Sequence, residues 1–154
     1  MTKTQIEQYL YKHIPITRAL GVKAIEFSRN EVKFLAPLMN NINHRSTAFG
    51  GSISSLLITT GWSYLRLLFD DEEIIPRIVI GKSETKYIKP ISADFTSQLV
   101  IPDEEEVQHF LEMVHRFGKG RITLQAQIIE GEEVLAVFEG DYVIFKQNTE
   151  TDVA

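Results

Sequence analysis

The sequence predicts an α+β domain in which a curved antiparallel sheet wraps around one long helix. Two observations carry that reading. From Gly50 to Phe69, Ile53, Leu56, Leu57, Thr60, Tyr64, Leu67 and Leu68 recur at helical spacing, and no charge appears on any face before Arg66. A helix uncharged all round is normally buried all round. The segments around it alternate with the period of strands, and the helices that parallel crossovers would need are missing. One buried helix among strands asks for an antiparallel sheet curved about it.

The elements follow in order. Thr4 to His13 reads as a short amphipathic helix with Ile6, Tyr9, Leu10 and His13 on one side, ended by Pro15. Val22 to Phe27 and Val32 to Leu38 read as a hairpin across the turn Ser28–Glu31. A polar loop, Asn40 to Thr47, leads into the long helix. The acidic run Asp70–Glu73 marks its solvated exit, because carboxylates sit unfavourably at a helix C-terminus. Four strands are expected beyond it, at Arg77–Ile88, Phe95–Ile101, Ile122–Ile129 and Val134–Phe145, with a turn at Glu130–Glu133. Asp103 to Val114, opened by Pro102 and acidic residues, reads as a short helix with a solvated start. Residues 1–146 form one domain in this reading, and 147–154 a polar tail.

Composition narrows the function. Sixteen Lys and Arg against twenty-one Asp and Glu leave a net charge of -5 in 154 residues, the wrong balance for a nucleic-acid partner. The absence of cysteine removes disulfides, thiol nucleophiles and thiolate metal sites. Scattered histidines without ligand spacing predict no metal site. Ser46 to Leu65 is uncharged, but Gly, Ser and Thr fill eleven of its twenty positions, which fits close packing in protein better than a membrane span. The N-terminus lacks the apolar core of a signal peptide, so the expectation is a soluble cytoplasmic protein with no membrane partner.

The stretch richest in chemistry is Asn40-Asn41-Ile42-Asn43-His44-Arg45-Ser46-Thr47-Ala48-Phe49-Gly50-Gly51. It runs into paired glycines at a helix start, where the first amides lack internal partners and carry the positive end of the dipole. Glycine lets a ligand carbonyl approach that backbone, and an amide aimed at a developing oxyanion is worth roughly 10²- to 10³-fold in rate. Gly50 and Gly51 serve equally well for close packing of helix on sheet. His44 is the one imidazole in the loop, suited to base chemistry near neutral pH. Ser54, Ser55 and Thr59 are positioned to hold a water but are too weakly basic to deprotonate it. Asp94 reads as a turn residue, and Lys82, Glu84 and Lys86 as charged protection of a strand. Arg116, Lys119 and Arg121 gather around Gly118 and Gly120, a pattern that suits phosphate contacts or an ordinary basic turn.

With its loop, glycine pair and strand order, the chain resembles hotdog-fold acyl-CoA thioesterases. More narrowly, it resembles the thioesterase-like domain that in some bacteria is fused behind a GNAT-type N-acetyltransferase. The resemblance spans about Ile14 to Phe145 and implies a homodimer or dimer of dimers with active sites at the subunit interface. It gives Asn43, seven residues before Gly50, the task of placing the thioester or the water, and Gly51 that of polarising the carbonyl. Lys89 matches a position lining the site, and the Arg116–Arg121 turn lies near the coenzyme's phosphates. Phe49 stands where the family often has histidine; with the apolar face of the helix it suits contact with the acyl chain and core packing equally well. Ile58 stands where the family has its helix carboxylate.

The expected activity is therefore thioester hydrolysis without a resident cofactor, a coenzyme A or acyl-carrier-protein thioester being the substrate. Ile58 motivates an alternative, a non-catalytic acyl-thioester binding or sensing module. A hydratase would want a histidine and a carboxylate across the site, of which only His44 is present. Acetyl transfer lacks its Gln/Arg-x-x-Gly-x-Gly/Ala signature and its architecture.

Overall fold

The structure is a computed structural model that describes residues 1–72 and 74–146. Helix α1 (Lys3–His13) opens on a capping box: Thr2 accepts from the Gln5 amide while the Gln5 side chain accepts from that of Thr2. The helix stops before Pro15 as expected, and Pro15 also caps a second short helix, α2 (Ile16–Ala19), where its missing N–H costs nothing. Strands β1 (Lys23–Ser28) and β2 (Glu31–Ala36) form the expected hairpin, and a 3₁₀ turn at Leu38–Asn40 ends β2 earlier than the alternation suggested. Helix α3 (Gly50–Leu68) is followed by β3 (Pro76–Tyr87), β4 (Phe95–Val100), α4 (Glu104–Phe117), β5 (Lys119–Glu130) and β6 (Glu133–Lys146). The tail 147–154 lies outside the described residues.

All six strands pair antiparallel in one sheet, in the order β1-β2-β4-β5-β6-β3. α3 packs on its inner face, with Leu56, Leu57, Leu65 and the strand residues Phe34, Leu124, Ile128 and Ile144 all buried. Two devices fix the helix. Gly61 makes room for Tyr142 of β6, whose hydroxyl donates to the Ile58 carbonyl at 2.7 Å; a Cβ on Gly61 would sit 2.5 Å from that oxygen. Thr60 and Ser97 share a buried hydrogen bond that pins the helix to β4. Such a pin satisfies two hydroxyls that would otherwise be costly to bury.

Two expectations change. The sheet covers one side of α3, so Gly51 is exposed and Ser54, Ser55, Ile58 and Trp62 are half-buried; the helix is uncharged all round but not buried all round in a single chain. Helix α4 also runs one turn further than expected, to Phe117. Gly118 then takes the left-handed conformation (φ 70°) that closes a helix C-terminus. β5 consequently begins at Lys119, and Gly120 is buried within it, its would-be Cβ 2.5 Å from Val114 of α4.

Candidate active site

The loop before α3 is tied down before any ligand arrives. Buried Asn41 donates through Nδ2 to the carbonyls of Leu20 and Pro37, both at 2.8 Å. Its own carbonyl accepts from the Phe49 amide at 2.7 Å, closing the loop on itself, and the Ala48 amide donates to Ile91 at 2.8 Å. Inside that closure Asn43 is the organiser. Oδ1 accepts from the amides of Arg45 (2.8 Å) and Thr47 (3.2 Å), while Nδ2 donates to Thr47 Oγ1 (2.9 Å) and the Ala48 carbonyl (3.4 Å). Such side-chain bonds are the usual way asparagine shapes a turn. They leave Ser46 at φ 61° and His44 exposed at the tip, without a hydrogen bond to any described residue.

The start of α3 has the character its sequence suggests. Phe49 is the N-cap and offers no side-chain oxygen; its carbonyl takes the amides of Ser52 (3.0 Å) and Ile53 (3.1 Å). The amides of Gly50 and Gly51 donate to no group among the described residues, so two donors remain at the positive end of a 19-residue helix. An aromatic ring covers each glycine. A Cβ on Gly51 would lie 2.5 Å from the Phe49 ring, and one on Gly50 would lie 3.4 Å from the Tyr87 ring. Tyr87 also donates to the Gly50 carbonyl at 2.9 Å. Gly50 opens onto a cleft of about 360 Å³ walled by Thr47, Ile53, Tyr87, Ile88, Lys89 and Pro90.

The remaining named residues divide. Lys89 reaches the cleft and is ion-paired with Glu133 at the start of β6. Ser55 and Thr59 lie one turn apart on α3; Thr59 is buried, and its hydroxyl donates back to the Ser55 carbonyl at 2.7 Å. Asp94 is a fold residue that accepts from the Leu38 amide at 2.8 Å. Arg116, Lys119 and Arg121 stand elsewhere. Lys119 pairs with Phe145 at one end of the β5–β6 hairpin, whereas Lys89 meets Leu135 at the other, next to the pair Ile129–Val134. Ten strand residues separate the two ends, roughly 33 Å. Within one chain the basic turn is therefore not part of the cleft. Its glycines belong to the fold, one closing α4 and the other packing beneath it, so its side chains alone carry the charge.

Sequence reasoning missed Tyr87 and Glu133. Tyr87 looked like one more strand residue, and only the register of β3 against β6, with Tyr87 opposite Ala136, turns it toward the glycine pair. No local signal marks Glu133 as the partner of Lys89, forty-four residues away. Among the described residues no group of three or more His, Asp or Glu side chains is arranged to hold a metal ion, and no helix is long and apolar enough to cross a membrane.

One long helix cradled in an antiparallel sheet of this order, with a glycine pair at the helix start, is the hotdog fold of thioesterases. The chain belongs to the YiiD_C family, described as "Putative thioesterase (yiiD_Cterm)", which matches residues 3–146. A protein of unknown function from Chlorobaculum tepidum TLS is 31% identical, with 94% of each chain covered and a TM-score of 0.87. A Shewanella oneidensis protein described as a "putative thioesterase" is 25% identical over 92% of this chain and 95% of that one, with a TM-score of 0.81. Thioesterase HI1161 of Haemophilus influenzae shares the fold at 12% identity, with 95% and 92% coverage and a TM-score of 0.71.

Proposed function

We propose that this protein hydrolyses acyl thioesters carried by coenzyme A or an acyl carrier protein, the acyl carbonyl being polarised at the start of α3. The observation that carries the reading is the pair of unpartnered Gly50 and Gly51 amides beside an open cleft. A thioester oxygen placed there gains donors that strengthen as it becomes an oxyanion, which is the differential stabilisation catalysis needs. Water attacks the carbonyl carbon and the carbon–sulfur bond breaks. One of the water's protons passes by way of His44 to the departing thiolate, and the other is lost to solvent as the new acid ionises to its carboxylate. In this proposal Asn43 shapes the loop that presents the amides, Ser55 and Thr59 border the water, and His44 takes its proton. Phe49, Gly50 and Lys89 line the acyl and pantetheine path. No resident cofactor is required.

The working unit in this reading is a homodimer, or a dimer of dimers, in the cytoplasm. β3 is an edge strand, and α3 exposes an uncharged stripe through Gly51, Ser55, Ile58 and Trp62. Both are features that a second copy would cover. An antiparallel pairing of two β3 edges about their middles sets the Pro76 end of one strand beside the Tyr87 end of the other. That arrangement moves Arg116, Lys119 and Arg121 of each copy toward the other's cleft, where their charge serves the anionic carrier of the acyl group. Kinship to domains fused behind GNAT-type acetyltransferases is the narrower part of the proposal.

A second reading, an acyl-thioester binding module, has a specific observation in its favour: the half-exposed stripe of α3 carries Ile58 and no carboxylate. A thiol-release screen over short- and long-chain acyl-CoAs separates the two. Hydrolysis predicts release with saturation. Calorimetric binding without release supports the module, and absence of both defeats both readings.

A further inference from the structure

The far end of α3 faces a second cleft, which shares no lining residue with the first. Tyr64 lies fourteen residues beyond Gly50 on α3, a rise of roughly 21 Å. Three parts of the chain meet there: the β1–β2 turn, the last turns of α3, and the first half of α4 with the segment that leads into it. Ser28 holds the turn, its Oγ accepting from the amides of Asn30 (3.3 Å) and Glu31 (3.1 Å). From that turn Arg29 reaches back and donates to the carbonyl of Leu68, the last residue of α3, at 3.3 Å. The space enclosed is about 270 Å³, with an apolar wall of Leu68, Ile101, Val107 and Leu111.

The polar groups of this cleft are unspent. Tyr64 is only 2% exposed, yet its hydroxyl bonds to no described residue and is not sealed off from the cleft it lines. A phenol buried to that degree normally has a partner. Burial keeps it protonated, so it is available as a donor. Arg29 keeps most of its donors free, and neither Arg29 nor Glu104, which also lines the cleft, has an ionic partner among the described residues. Opposite charges therefore stand unpaired around one apolar hollow. A simple acid would use Arg29 and Tyr64 but face Glu104 as a like charge, and a simple amine would meet Arg29 in the same way. A molecule that carries both charges on an apolar body satisfies all three groups. The hollow holds the equivalent of roughly nine waters, a size that suits leucine. We propose that this cleft binds a free α-amino acid with an apolar side chain. Its carboxylate lies on Arg29 and the Tyr64 hydroxyl, its ammonium on Glu104, and its side chain against Leu68, Val107 and Leu111. The site stands apart from thioester hydrolysis and does not depend on that reading.

The test is calorimetry with leucine and two of its relatives: 4-methylpentanoate, which lacks the ammonium, and 3-methylbutylamine, which lacks the carboxylate. The wild-type protein is compared with Tyr64→Phe, Arg29→Gln and Glu104→Gln, and with Tyr87→Ala in the first cleft. Tyr64→Phe keeps the ring and its packing and removes only the hydroxyl. The expected result is saturable binding of leucine, about tenfold or more tighter than that of either relative, weakened about tenfold by Tyr64→Phe and unchanged by Tyr87→Ala. Arg29→Gln should remove the advantage of leucine over the amine, and Glu104→Gln its advantage over the acid. No binding of leucine to the wild type at millimolar concentration overturns the proposal, as does binding that Tyr64→Phe and Arg29→Gln leave unchanged. Equal affinity for leucine and 4-methylpentanoate, with Glu104→Gln tightening both, overturns it in favour of a plain anion site. Binding lost in Tyr87→Ala alone places the ligand in the first cleft and overturns it as well.

Discussion

The Tyr87 hydroxyl donates to the carbonyl of Gly50 across 2.9 Å, joining the last residue of β3 to the first residue of α3. The bond holds the helix start against the cleft wall and fixes where the free amides point. Tyr87→Phe keeps the ring and removes the bond. A neutral hydrogen bond is worth about 0.5–1.5 kcal/mol, so thiol release should fall roughly 2- to 12-fold. Because the bond is exposed, the melting temperature should move little. Tyr87→Ala also removes the wall and should raise KM in the same assay.

Asn43 offers a way to separate loop shape from direct chemistry. Asn43→Ala removes all four of its side-chain bonds, and a stability loss of about 1–2 kcal/mol is expected in urea melts, together with a fall in kcat larger than the rise in KM. Asn43→Asp retains the acceptor toward the Arg45 and Thr47 amides but loses the donor to Thr47 and Ala48. It should recover most of the stability. Turnover that recovers with it assigns Asn43 to loop shape; turnover that stays low assigns its Nδ2 to the substrate or water.

Burial pushes the Tyr142 phenol far above the ordinary value near 10, the Trp62 backbone opposing this only in part. The sign follows directly. Below pH 10 both folded and unfolded chains keep the phenol protonated and the full contribution is present. As pH rises past 10 the unfolded chain ionises while the folded one resists, so stability declines. Tyr64, also raised by burial, adds to the same trend. Urea melts from pH 8 to 11 should show stability falling above pH 10, and Tyr142→Phe should flatten that fall. At pH 8 the same variant should lose about 1 kcal/mol with its bond to Ile58.

The uncharged stripe on α3 predicts the assembly. Ile58→Arg introduces a long cation where a second copy would lie. Sedimentation velocity should show a dimer for the wild type and a shift toward monomer for the variant. A wild type that sediments as a monomer at micromolar concentration would remove the shared-site arrangement.

How much of this was legible beforehand depends on what kind of residue carried it. α3 could be read to within one residue, because its periodicity is local and glycine marks its start. The hairpins followed from alternation and turn residues. Some element ends were missed: α4 runs on to Phe117, where Gly118 in the left-handed conformation closes it, and β5 begins directly after. The glycine pair was legible as a candidate site because helix starts have fixed chemistry. Asn43 was singled out for its spacing, yet its bonds within the loop depend on a fold that spacing leaves open. The separation of the basic turn from the cleft depends on the length of the β5–β6 hairpin, and the role of Tyr87 on register; both exist only once the strands are paired.

The most direct test of the central claim is thiol release by the wild type and by Gly51→Ala, with melting curves for both. Alanine suits an exposed helix position and should hold or raise the melting temperature. Its Cβ nevertheless collides with the Phe49 ring at 2.5 Å and crowds the free amides. The account predicts saturable release by the wild type and at least a tenfold lower kcat in the folded variant. Equal turnover in the two proteins, or no release from any thioester by micromolar wild type, would contradict it.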